Sequence, residues 1–159
     1  MNIIGLDLTA IDASPAFKLG TIAGNIGTAG PQKSYKYIKY EAATAAVAGV
    51  AGEVAYYATV AVGDATATIV TSDLSDSLSI GAGVLQASLT DGTYGWVQVK
   101  GVATLTIALD GTPADGSPLT PTGAADGTLD INIATAANTD ICAWAIDTSE
   151  KIIMCDFVC

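Results

Sequence analysis

The chain has 159 residues, half of them apolar, a formal charge of −10, and neither arginine nor histidine. That length suits one domain, and the missing histidine excludes Ser-His-Asp and Cys-His nucleophile arrangements. An acidic chain without arginine is also a poor nucleic-acid binder, because phosphate contacts need cationic side chains.

The charge is unevenly spread. Lys18, Lys33, Lys36 and Lys39 outweigh Asp7 and Asp12, so residues 1–40 carry +2, whereas Lys100 and Lys151 face fourteen acids, so residues 41–159 carry −12. Such an acidic body repels DNA and keeps copies or particles apart; ordinary solubility is the plainer reason for it. Charged residues are 14% and aromatics 6% of the chain, which predicts a core of thin Val, Ile, Leu and Ala layers. The surface is then rich in Thr, Ser, Ala and Gly, as suits a protein partly covered by neighbours. The opening Met1-Asn-Ile-Ile-Gly-Leu-Asp-Leu8 lacks a basic start and an unbroken apolar run, so no signal peptide is expected. No apolar stretch reaches spanning length, so no membrane contact is expected either.

In chain order, residues 1–33 read as an arm. They hold Pro15, Pro31 and several turn-forming glycines, with short apolar patches (Ile3, Ile4, Leu6, Leu8, then Phe17, Leu19, Ile22) that could order on a partner. A flexible terminus is the alternative. Residues 34–159 read as the body. Within it, 34–40 alternates with period two, Tyr35, Tyr37 and Lys39 on one side and Lys36, Ile38 and Tyr40 on the other, which predicts an edge or interface strand. The Ala-rich 41–52 is ambiguous between a short helical turn and a loop. Strands are predicted within 53–62 and 66–71, with a polar turn at 71–77. Another covers 78–89, where Gly81 and Gly83 predict a bulge or a close backbone approach. The chain is organised around 91–101, where the turn Asp91-Gly92 leads into Trp96, Val97, Gln98 and Val99; a hairpin is predicted there, turning at Gly101 into 102–109. Residues 110–123 hold three prolines and three glycines and predict an external loop. A short strand at 129–134 precedes a final hairpin, 141–147 with 151–158, turning at Thr148-Ser149.

No residue pattern demands chemistry. Asp73, Asp76 and the Asp-Gly pairs at 91, 110, 115 and 126 could hold a hard cation, but Asp-Gly is also the ordinary turn dipeptide, and neither metal nor cofactor is expected. Cys142, Cys155 and Cys159 lack a fourth ligand for zinc. The predicted hairpin sets Cys142 opposite Cys155 and Trp144 opposite Ile153. A bridge would then need suitable geometry; an intracellular assembly route favours reduced, buried thiols, with Cys159 a free thiol.

Four pieces, in order, resemble the small β-rich head decoration (cement) proteins of tailed bacteriophages. They are Phe17-Lys-Leu-Gly-Thr21; Tyr35-Lys-Tyr-Ile-Lys-Tyr-Glu-Ala42; Tyr94 with Gly95-Trp-Val-Gln-Val-Lys-Gly101; and the closing 143–156. The segment 110–123 has no counterpart in that pattern. The resemblance implies a non-enzymatic virion protein, assembled in the host cytoplasm. It binds the major capsid protein on the outside of an icosahedral shell, often as a homotrimer, and stabilises the shell against internal DNA pressure. An arm that adds a strand to a neighbour's sheet would suit that role. The expected contact residues are Phe17, Leu19, Tyr35, Tyr37 and Tyr40, since amphipathic aromatics are enriched at interfaces; the tyrosines could instead pack on the chain's own core. The expected architecture is all-β, a small antiparallel sandwich or barrel with an extended N-terminal arm. Two rivals are an adhesive or receptor-binding module that uses loop 110–123, and a small metal-dependent enzyme that uses the acidic loops.

Overall fold

The computed structural model describes residues 6–25, 32–42, 44, 46–59, 67–132 and 140–158. It is all-β: the described residues form ten strands and no helix. Five of them close on themselves. Strands β2 (Lys33–Tyr40), β4 (Ile69–Thr71), β3 (Val54–Ala58), β5 (Ser77–Leu85) and β6 (Tyr94–Thr104) pair in that order, and a β2–β6 ladder completes the ring. The body is thus a small barrel, antiparallel throughout except for β2 beside β4. The same sheet extends beyond the barrel from the far half of β6. It adds β10 (Ile152–Asp156), β9 (Ala143–Asp147), β7 (Pro118–Thr120) and β8 (Asp130–Ile131).

The segment 91–101 does organise the fold, but as a strand rather than a hairpin. At Gly101 the backbone takes φ +89°, and β6 kinks and continues instead of reversing. Before the kink it pairs with β2 and β5; after it, with β10. The Gln98 amide straps the kink by donating to the Lys100 and Val102 carbonyls, at 3.2 and 3.0 Å. Gly83 answers to the close approach read from sequence: a Cβ there would lie 2.7 Å from the Gln98 carbonyl oxygen.

Strand β2 is central rather than an edge. It has β6 on one side and β1 (Ile22–Asn25) and β4 on the other. Its two faces serve two cores. Ile38 and Tyr40 enter the main core with Val54, Tyr56, Val70, Leu85, Val97 and Val99. Tyr35 and Tyr37 join Trp96 and Ala23 in a satellite cluster.

That cluster takes in the described part of the expected arm. Residues 6–25 fold back on the barrel, with Leu6, Leu8, Phe17 and Leu19 packed over Tyr37 and Trp96. The Phe17 ring sits edge-on to both, 5.3 and 5.4 Å between centroids. Asp12 exchanges backbone hydrogen bonds with Tyr94, and β1 pairs with β2. The reason is local: an aromatic face on β2 and β6 needs a cover, and this chain supplies one. The ends of the predicted arm, 1–5 and 26–31, lie outside the described residues.

Two further expectations change. The segment 110–123 is external only in part: residues 111, 112, 114–116, 122 and 123 are exposed, but Leu119 and Thr120 are fully buried in β7. Pro118 is tolerated as the first residue of that strand, where its carbonyl accepts from Asn132 N at 2.8 Å. The final hairpin forms, but one residue out of the expected register, with Cys155 opposite Ala143 and Trp144 opposite Met154. Its loop carries Lys151 in the left-handed region, φ +56°, followed by a register shift at Ile152 and Ile153 that absorbs the extra residue. Cys142 and Cys155 are buried free thiols, and Cys159 lies outside the described residues.

Candidate interaction surface

The slipped register decides which side chains face water. One row across this extension of the sheet runs Gly101, Cys155, Ala143, Leu119, Ile131. The next runs Val102, Met154, Trp144, Pro118. Side chains alternate between faces from row to row. Ala143, Ala145, Ile153 and Cys155 point inward and are buried. Trp144, Ile146 and Met154 point outward and stay 39%, 41% and 40% exposed. Along Ala-Trp-Ala-Ile of β9 the small residues are inside and the large apolar ones outside, the reverse of what burial alone would select.

The stripe continues past one ion pair. Lys100 and Asp156, cross-strand partners, neutralise each other at its edge. Two residues beyond Asp156 stands Val158, 62% exposed, and beside it Ile80, Ile141 and Asp140 rim a depression of about 250 Å³ floored by Gly81 and Cys142. Leu78, 48% exposed, flanks it. Contiguous exposed apolar surface of this kind marks an interaction site more often than it marks ordinary surface.

The residues singled out from sequence lie elsewhere. Tyr35, Tyr37 and Tyr40 are buried, and Phe17 and Leu19 are half-buried over the satellite cluster. Tyr37 donates to Asp12 Oδ2 at 2.5 Å and accepts from Ala16 N at 3.1 Å. Burial first, then that carboxylate, push its phenol up to about 12. Tyr40 accepts from Ser72 N and donates to the Val47 carbonyl, so its hydroxyl is spent inside the molecule. Of the five, Tyr35, Tyr37 and Tyr40 therefore pack on the chain's own core, and Phe17 and Leu19 hold the segment that covers it. The stripe was missed because the hairpin register was set one residue off. Its trace in the sequence is Trp144-x-Ile146 against Ile152-x-Met154, with Ala145 between the first pair.

The chemistry available is limited. Burial raises both described thiols, Cys155 to about 12 with Lys33 drawing it back, so neither supplies thiolate near neutrality. Among the described residues no group of three or more carboxylates or thiols is placed to hold a metal ion, and no helix is long and apolar enough to cross a membrane. Lys36, buried inside the barrel, donates to Tyr57 Oη at 3.0 Å and to the Ala67 carbonyl at 2.9 Å. Tyr57 in turn donates to the Val158 carbonyl at 2.6 Å, tying the segment after β10 to the barrel. Comparison with known proteins finds no match: no protein family, no curated relative and no solved structure is detectably similar to this chain.

Proposed function

We propose that the protein decorates the outside of an icosahedral tailed-phage capsid. It binds the major capsid protein by protein–protein contact, as a homotrimer on the virion surface, and stabilises the shell. The observation that carries this reading is the outward apolar row of Trp144, Ile146 and Met154 on a hairpin whose inward positions hold Ala143, Ala145, Ile153 and Cys155. The sequence resemblance supplies the shell as the partner; the row supplies the contact. Trp144 is the expected anchor, because buried interfacial tryptophans dominate binding energy. A ring-closed barrel without a long free edge gives the rigid, non-aggregating body such a role requires. In this reading the contact lies on the β9–β10 hairpin, and residues 6–25 serve the body's own fold.

Electron cryomicroscopy of undecorated capsids with and without added protein tests the proposal. It predicts extra density on the outer surface at symmetry-related positions, with the β9–β10 face toward the shell. Shells that bind none of the protein at micromolar concentration would overturn it.

A further inference from the structure

The depression beyond the Lys100–Asp156 pair has a structural origin of its own. Between the pairs Tyr56–Gly81 and Ala58–Ser77, two steps along β3 are matched by four along β5. The surplus backbone bulges outward at residues 78–80. Ser79 holds the left-handed conformation there at φ +55°, steadied by its N–H donating to Ser77 Oγ at 3.0 Å. A non-glycine residue in that region is strained. The strain turns Leu78 and Ile80 out to solvent, 48% and 38% exposed, when a regular strand would bury one face. Ile80 then meets Ile141 and Val158 around the depression.

The charge around it has one sign. Among the described residues that line the depression, Asp140 alone is charged. The chain as a whole carries −10. An acidic partner, including a second copy of this chain, would meet repulsion there; a basic one would meet complementarity.

We infer that this depression is an anchor pocket for a segment of the shell protein that presents one large aliphatic side chain flanked by lysine or arginine. The aliphatic group fills the space among Ile80, Ile141 and Val158, and the flanking cation pairs with Asp140. The inference rests on the decoration reading and names the chemistry of one part of that contact.

The test uses the full chain, isotope-labelled for NMR, and two capped pentapeptides, Gly-Lys-Leu-Lys-Gly and Gly-Glu-Leu-Glu-Gly. The basic peptide is expected to shift the amide signals of Gly81, Ile141 and Val158 at millimolar concentration, and the acidic one to leave them unmoved. Asp140→Asn, an exposed substitution that keeps the fold, is expected to weaken the basic peptide about two- to fivefold, the range of an exposed ion pair. Trp144→Ser is expected to leave peptide binding unchanged. Equal shifts from both peptides, shifts centred elsewhere, or no shift from either would overturn the inference. Such a failure is separable from failure of the decoration reading, because shell binding that is lost in Trp144→Ser would still stand.

Discussion

Tyr37 sets the energetics of the covered face. Its ring packs against Phe17 and Trp96, with centroids 5.3 and 5.0 Å away, and its hydroxyl donates to Asp12. Tyr37→Phe keeps the ring and deletes a hydrogen bond to a carboxylate, so it should cost about 1–3 kcal/mol in urea unfolding. The same contact couples stability to alkali. A phenol with an ordinary value of 10.0 is held near 12 in the folded chain, by burial and then by Asp12. Between those values the unfolded chain has lost the proton that the folded one keeps. The stability so gained is complete below pH 10 and is lost as pH rises through 12. Thermal melts should therefore fall over that range, less steeply in Tyr37→Phe; a slope remains because burial also raises Tyr56. Lys151 offers the opposite sign. It sits at φ +56° in the hairpin loop, so Lys151→Gly should stabilise by about 0.5–1 kcal/mol, read as a higher melting temperature.

At the level of elements, the fold-back of residues 6–25 is a cover for Tyr35, Tyr37 and Trp96. Deleting residues 1–25 should bare that aromatic face, lower the melting temperature and raise binding of a hydrophobic dye; a truncated chain that melts unchanged would contradict the assignment. The strands themselves were largely readable. Period-two alternation located β2, and the Trp-Val-Gln-Val run located β6, because both patterns follow from local sterics and burial. Partner choice was not readable. The mix of Lys with aromatics on each face of β2 points to an edge or interface strand, yet Lys36 is buried on partners, Tyr57 and the Ala67 carbonyl, that are distant in sequence. Gly101 was read as a turn because its positive φ serves a kink as well as a hairpin. Pro118 suggested an excursion because its place as the first residue of a strand depends on contacts with β8 and β9. The interaction stripe escaped for the sharpest reason. A one-residue register error moves every side chain to the other face, and the register was fixed by Lys151 and the bulge after it, which no periodicity reports.

For the whole molecule, the account joins a closed barrel to appended strands with one unshielded side. The barrel and its cover consume the aromatic residues that looked most like contacts. The appended strands leave Trp144, Ile146 and Met154 facing outward on a chain of net charge −10. In the proposed role, apolar contact supplies the affinity and the net negative charge limits indiscriminate association of free copies. The most direct measurement is co-sedimentation of the protein with undecorated capsids, wild type against the Trp144→Ser, Met154→Ser double variant. Both positions are exposed, so the variant should melt like wild type. The account predicts saturable wild-type binding and a loss of at least about tenfold in the variant. Equal binding by the two proteins, with equal melting temperatures, would contradict it.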